Sequence, residues 1–541
     1  MKKLKGILHL TVVLFSINSF AQVTTVDSLE SAYLNWYDKC PESDKICGVA
    51  VERAYSTILK DKEPKKVIIV AVIDGGVDVE HEDLKGHIWI NEDEIVGNGI
   101  DDDNNGYIDD IHGWNFLGNS KGDNIDDENL AVTRIYRDYK DKYEGKKLSD
   151  IPENEKSVFE MYNKAKKEYN EMLVTYGDKI KRYKTMRSDI ITADKEMKTF
   201  LKKEDYTKDD INAITSEDST ILKHKKLLLR GVTTERLDYI IDYYSIYFDS
   251  YLNLELNART RIIGDDPNDI KDTNYGNPNV KGDFAEHGSM VSGIIAALRN
   301  NDLGVNGISE SVRIMALRTI PNGDEYDKDV ALSIRYAVDN GANILNMSFG
   351  KYYSPMENEV YEAIKYAESK GVLMVAASGN DGDNVDENTH FPSPYSEKGN
   401  VVSTWLTVGA NSKEFTKDLP ADFSNYGAEQ VHIFAPGVKV ISTSPDGMYD
   451  MMNGTSFACP VVTGVATLVW SYYPELTAAE LREVLLESSS KYKKMKVNKP
   501  GDYENEEDIP VVKFGTLSES GGIVNAYYAL KLAEKTVASK K

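Results

Sequence analysis

The segment 66–73, Lys-Val-Ile-Ile-Val-Ala-Val-Ile, constrains the fold more than any other stretch. Its apolar, largely β-branched residues follow one another without polar alternation. That pattern suits a strand buried on both faces, as in a parallel sheet covered by helices. Comparable runs occur at 313–317, 343–347, 372–377 and 406–410, with helical patterns at 327–340 and 357–370 between them. Alternating strand and helix predicts a doubly wound, mostly parallel α/β sheet with helices on both faces. A hydrophobic content of 41% over 541 residues is enough for a core of that size and argues against disorder of the whole chain.

One region breaks the alternation. Residues 129–257 are rich in Lys, Glu, Asp and Tyr and poor in Gly and Pro. Val158, Tyr162, Ala165, Tyr169, Met172, Tyr176, Ile180 and Tyr183 recur at spacings of three and four, close to a coiled-coil seam with one stutter. Leu237, Ile240, Ile241, Tyr244 and Tyr247 suggest a second helix running back. The region reads as an inserted helical hairpin. The domain plan is then a leader at 1–21, the first part of the main domain at 22–128, the hairpin at 129–257 and the rest of the main domain at 258–541. Helical patterning within 26–65 allows a short pro-segment or a first layer of the main domain. The direct run into the strand at 66–73 favours the layer.

Three segments carry chemistry. Asp74-Gly75-Gly76 stands at the C-terminal end of the first strand, the edge where open α/β sheets build sites. His287 opens a segment with small residues at Gly288, Ser292, Gly293 and Ala296, which suits a tightly packed helix presenting an imidazole near the sheet edge. Ser456 follows Gly454-Thr455 and precedes the apolar stretch 461–472. A serine there lies at a helix N-terminus, where free N–H groups favour a developing oxyanion. Taken singly, each has a bland reading: a turn aspartate, a structural histidine, an N-cap serine. Together, in the order Asp, His, Ser, they match neither the chymotrypsin nor the α/β-hydrolase arrangement.

With these segments in hand, the chain resembles the subtilisin-like serine proteases (subtilases, peptidase family S8). The resemblance rests on 70–78, Val-Ala-Val-Ile-Asp-Gly-Gly-Val-Asp, on His287-Gly288-Ser289, on Ala376-Ala377-Ser378-Gly379-Asn380, and on Gly454-Thr455-Ser456 with Ala458 and Pro460. It covers 66–115 and 259 to the end, roughly two-thirds of the chain. It implies a subtilisin-like fold and a serine endopeptidase acting through Asp74, His287 and Ser456 and an acyl-enzyme intermediate. It further implies that Asn380 donates its side-chain amide to the oxyanion, and that Ser348-Phe349-Gly350 and Ala377-Ser378-Gly379 line a cleft where an extended peptide pairs like an added strand. Two positions depart from the family pattern: Gly75 replaces a Ser or Thr, and Ser289 replaces a Thr. The usual foldase-type prodomain has no counterpart in the 44 residues between the leader and Lys66. The competing reading, from another class, is a binding or scaffold protein that acts through the hairpin while its protease domain is vestigial; intact motifs count against it.

The formal charge is −24 and argues against a nucleic-acid partner. Nearly half of it falls in 91–128, which holds twelve acids and one base. Within it Asp101, Asp103 and Asn105 take positions 1, 3 and 5 of an EF-hand loop. Gly106 gives the turn, Tyr107 offers its carbonyl at 7 and Asp109 falls at 9. His112 stands at 12 in place of the bidentate Glu, so the loop is a partial EF-hand. The expected ion is Ca²⁺ in a structural role. Zinc is not expected, because His81, His87 and His112 lack a converging spacing.

Lys2, Lys3 and Lys5, an apolar run at 7–17 and Ser19-Phe20-Ala21 read as a signal peptide cleaved before Gln22. Export to the periplasm or outside the cell follows, with no transmembrane span in the mature chain. The alternative for this stretch is an uncleaved anchor. Export would permit a disulfide between Cys40 and Cys47, and the sequence leaves that pairing open. Cys459 reads as a small buried helix residue. The expected partners are a peptide or protein substrate and, at the hairpin, a protein partner.

Overall fold

The computed structural model describes residues 29–395, 399 and 401–540. The leader at 1–21 lies outside them. The chain divides into two compact units, one formed by Asp127–Leu256 and the other by the remaining described residues.

The larger unit is built on a nine-stranded sheet. From edge to edge its strands are Ser490–Lys491, Gly522–Ile523, Ile433–Pro436, Trp405–Asn411, Leu373–Ala377, Ile344–Met347, Ile68–Asp74, Val312–Arg318 and Gly113–Asn115. All neighbours pair in parallel except the antiparallel edge strand Ser490–Lys491. The fold is therefore the doubly wound α/β arrangement that the apolar runs predict.

The first strand shows why it has no polar alternation. Ile68, Val70 and Val72 point into a core shared with the helices Glu286–Ala296 and Thr455–Tyr472. Ala71 and Ile73 point into a second core, shared with the helices Asp327–Asp339 and Glu357–Ser369. Each face is sealed by a helical layer, so both residue parities must be apolar. Thr455–Tyr472 is long and apolar enough to cross a membrane, yet 94% of it is buried inside the unit as a core helix. Trp36, Tyr37, Val49, Val51 and Ala54 belong to the first of these cores. Cys40, Cys47 and Cys459 are all buried free thiols.

The smaller unit is longer and more branched than a simple hairpin. Its spine is a single helix, Lys156–Leu201, of 46 residues, about 69 Å long at 1.5 Å per residue. Three shorter helices, Ala131–Tyr143, Ser219–Leu228 and Thr234–Ile246, pack along it. The seam at the first half is aromatic: Tyr143 meets Phe159 edge-on at 5.3 Å and Tyr176 stacks on Tyr247 at 3.5 Å. Beyond Tyr183 the seam continues through buried Ile190, Ala193 and Met197, a stretch whose polar neighbours hide it in the sequence. Asn129 Nδ2 donates to the carbonyls of Ser250 (2.7 Å) and Asn253 (3.0 Å), which fastens the two ends of the unit together.

Candidate active site

Asp74 is the last residue of its strand; it pairs with Arg318 on one side, while the pairing on the other side ends at Ile73. Its side chain is only 4% exposed. Gly75 N–H donates to its Oδ1 at 2.7 Å. A backbone donor thus takes the place of the hydroxyl whose absence at position 75 marks a departure from the family pattern.

His287 sits in the first turn of the helix Glu286–Ala296. Its Nδ1 lies 2.9 Å from both carboxylate oxygens of Asp74. A carboxylate can only accept there, so the Nδ1 proton is fixed and Nε2 is left as the basic nitrogen. Gly288 makes the approach possible: a methyl group on it would fall 2.1 Å from the carbonyl oxygen of Gly76 and 3.0 Å from Asp74 Cβ. Ser289, the second departure, accepts the Asp78 N–H at 2.8 Å. Burial disfavours the imidazolium of His287, but the charge and hydrogen bond of Asp74, with the charge of Glu286, outweigh it and hold the pKa above the ordinary imidazole value. Glu286 itself is raised to about 7, first by burial and then by its hydrogen bond with Asp450.

Ser456 is the second residue of the helix Thr455–Tyr472. Its hydroxyl donates to the carbonyl of Ser348 at 2.9 Å, and the Ser348 hydroxyl donates back to the Ser456 carbonyl at 2.8 Å. The His287 ring packs against Phe457, the next residue, with centroids 5.3 Å apart. The structure therefore brings Asp74 and His287 into direct contact and packs Phe457, the residue after Ser456, against the His287 ring, with the Ser456 hydroxyl turned to Ser348. Such bonds to a nucleophile are often loose before substrate binds.

Asn380 follows the strand Leu373–Ala377. Thr455 donates to its Oδ1 from the backbone N–H (2.8 Å) and from the hydroxyl (2.9 Å). An N–H can only donate, so the amide oxygen faces Thr455 and Nδ2 faces away. Ser348, Phe349 and Gly350 continue the strand Ile344–Met347, and Ala377, Ser378 and Gly379 run from the end of the adjacent strand into Asn380. Among the described residues, Phe349 and Gly350 form no backbone hydrogen bond, so their peptide groups remain open to a partner. Cys459 is no rival nucleophile: it is fully buried, and that burial pushes its thiol up to about 12.

The acidic loop is organised by a residue that the EF-hand pattern does not contain. Glu94 accepts the N–H groups of Asp102 (2.8 Å), Asp103 (3.3 Å) and Asp109 (3.0 Å). Carboxylate oxygens of Glu94, Asp101 and Asp103 lie within 4.8 Å of one another. Asp109 instead directs its oxygens to the N–H groups of Asn98 (3.1 Å) and Gly99 (2.9 Å). Asn105 Oδ1 accepts the Tyr107 N–H at 2.8 Å. The missing acid at position 12 was the one signal that a carboxylate had to arrive from elsewhere.

The curated relatives are proteases. A thermophilic serine proteinase from Bacillus sp. (strain AK1) is 40% identical over 192 residues, covering 35% of this chain and 43% of that one. Subtilisin DY from Bacillus licheniformis is 35% identical over 201 residues, covering 37% of this chain and 68% of that one. This chain thus spans less than half the length of the first of them. Among solved structures, a prenylagaramide maturation protease is 28% identical, with a TM-score of 0.36, over 46% of this chain and 82% of that one. The model of the subtilase family (Peptidase S8) matches residues 65–506, and this chain belongs to that family.

Proposed function

We propose that the protein is a serine endopeptidase that hydrolyses peptide bonds through Asp74, His287 and Ser456. The observation that carries this reading is the two-point contact of Asp74 with His287 Nδ1 at 2.9 Å, with the His287 ring packed on Phe457, which directly follows Ser456 at a helix N-terminus. In this mechanism Ser456 Oγ attacks the carbonyl carbon while His287 Nε2 takes its proton. Asp74 holds the ring orientation and stabilises the imidazolium. Asn380 Nδ2 and the Ser456 N–H donate to the oxyanion. His287 then returns the proton to the leaving amine, and water releases the acyl group by the same steps in reverse roles. An extended substrate pairs with the open peptide groups near Phe349 and Gly350. A fluorophosphonate reagent tests the reading: stoichiometric labelling of Ser456 is expected, and a folded protein that stays unlabelled would refute it.

The general base must be neutral to act. Because His287 is held above the ordinary imidazole value, the acid limb of kcat/KM is expected above pH 6.5. The negative charge of Glu286 contributes to that elevation, so Glu286→Gln should move the limb to lower pH. A limb that shifts upward, or not at all, would show that Glu286 does not act on His287.

Ca²⁺ fits the acidic loop. Three carboxylates converge there with no Lys or Arg side chain bonded to them among the described residues, and hard oxygen ligands suit this ion. Glu94, Asp101 and Asp103 would hold it, with the Asn105 and Tyr107 oxygens nearby in the loop. Bound calcium would stabilise the folded state by about 2.7 kcal/mol at a hundredfold excess over Kd. Melting in calcium and in chelator, for wild type and for Asp101→Ala with Asp103→Ala, checks this; an equal response in both proteins would move the site elsewhere.

The leader sequence supports export to the periplasm or beyond the cell, and the self-contained helical unit at Asp127–Leu256 is the surface for a protein partner.

A further inference from the structure

His390 lies between the two segments that flank the proposed substrate cleft, 348–350 and 377–379. The strands Ile344–Met347 and Leu373–Ala377 are paired through Met347 and Ala376. Beyond that point their continuations, 348–350 and 377–379, no longer bond to each other, and a crevice opens between them. A third segment enters it. Lys351 and Phe391 exchange two backbone hydrogen bonds, of 2.9 and 2.8 Å, in an antiparallel bridge that sets His390 across from Tyr352 and diagonal to Gly350 on the same face.

The imidazole touches both walls. A methyl group on Gly350 would lie 2.2 Å from His390 Cε1, and one on Gly379 would lie 3.0 Å from Nε2. Both wall positions are glycine, so the ring fills space that side chains would otherwise claim. The ring is also held from behind. Tyr352 meets it edge-on at 5.3 Å. The Tyr352 hydroxyl donates to Asp381 Oδ2 at 2.7 Å and accepts from Asn425 Nδ2 at 3.1 Å. Asn425 is fully buried and takes the N–H groups of Asp381 and Asp383 on its Oδ1, at 3.0 and 2.9 Å. The backing is therefore fixed, and the ring has no easy retreat. Burial pushes the His390 pKa down to about 4, so the ring is neutral near pH 7.

The crevice is where the side chain before the cleaved bond must go. Ser456 Oγ lies 2.9 Å from the carbonyl oxygen of Ser348, on one wall, and Asn380 directly follows Gly379, on the other. A carbonyl held between Ser456 and Asn380 has its own α-carbon one bond away, facing the gap between these walls.

We propose that His390 closes the pocket for the side chain preceding the cleaved bond, so that the protein accepts small uncharged residues there, Gly, Ala or Ser, and rejects large or charged ones. A neutral ring offers no cation to pair with a carboxylate, and a ring seated against both glycines leaves no depth for an aromatic or long aliphatic chain. A mismatch of several methylene groups in such a pocket costs well over tenfold in kcat/KM. This inference rests on the peptidase reading.

The test is a set of peptides that differ only at the residue before the cleaved bond. For wild type, kcat/KM on Ala and Ser is expected to exceed that on Phe, Leu, Lys and Glu at least tenfold. In His390→Gly, the Phe-to-Ala ratio is expected to rise at least tenfold. A wild-type preference for a large or charged residue overturns the proposal, and so does an unchanged ratio in a folded His390→Gly. If that variant fails to fold, the wild-type profile alone decides. Fluorophosphonate labelling in parallel separates the two levels. An unlabelled wild type removes the peptidase reading and this proposal with it. A labelled, active protein with the contrary profile removes only the role of His390.

Discussion

Ser456→Ala is expected to lower kcat by about 10⁶ while leaving the fold intact. That magnitude comes from subtilisins themselves and is a family expectation, not a figure drawn from this site. The substitution removes one oxygen and the hydrogen bond to the Ser348 carbonyl, worth about 1 kcal/mol. The cores on both faces of the sheet are untouched, so the melting transition should barely move. Residual hydrolysis above water would remain, because Asn380 still stabilises an oxyanion when water attacks directly. Turnover and fluorophosphonate labelling should disappear together. Wild-type turnover in the variant would place the nucleophile elsewhere, and the buried, high-pKa thiol of Cys459 offers no substitute.

Arg259→Ala is expected to destabilise the larger unit by about 3–5 kcal/mol, the usual penalty for breaking a buried ion pair from one side. The Arg259 guanidinium forms paired hydrogen bonds with Asp265 (2.9 and 2.7 Å) and with Asp329 (2.5 and 2.8 Å). Both carboxylates are almost fully buried. Lys328 still reaches Asp265 at 2.7 Å, but the Asp329 carboxylate would keep only the Tyr275 hydroxyl as a side-chain partner among the bonds described. Burial pushes Asp265 up, yet the hydrogen bonds and charges of Arg259 and Lys328 outweigh it and hold its pKa below the ordinary carboxylate value. Its contribution to stability is therefore present above about pH 4 and is lost as pH falls through the lower folded value. Chemical denaturation of wild type and variant at pH 7 measures the loss; a difference under 1 kcal/mol would mean that water or relaxation replaces the pairing.

The legible parts of this molecule share a physical cause. Strands covered on both faces must be apolar along their buried length, so 68–73, 314–317 and Leu373–Ala377 announce themselves as unbroken runs. Gly113–Asn115, Ser490–Lys491 and Gly522–Ile523 are two or three residues long and carry too little pattern to be seen. The site residues Asp74, His287, Ser456 and Asn380 sit in short motifs whose local chemistry is visible without the fold. Glu94 and His390 are different. Each acts through neighbours that only folding supplies: Glu94 through backbone N–H groups across a loop, His390 through two glycines on separate strands. The Arg259 network is hidden for the same reason, since its partner Asp329 lies 70 residues away.

The central position of the first strand also sets a clock. Ile68–Asp74 pairs with no strand near it in sequence; its neighbours begin at Val312 and Ile344. At about 5–20 residues per second, synthesis needs on the order of 10–50 s to supply the first of these. Throughout that interval the strand has both edges unpaired, and the nucleophile Ser456 lies further along the chain still. A nascent or truncated chain is thus kept inert by topology alone, and the same delay makes its most apolar segment the one most exposed to aggregation before the sheet closes.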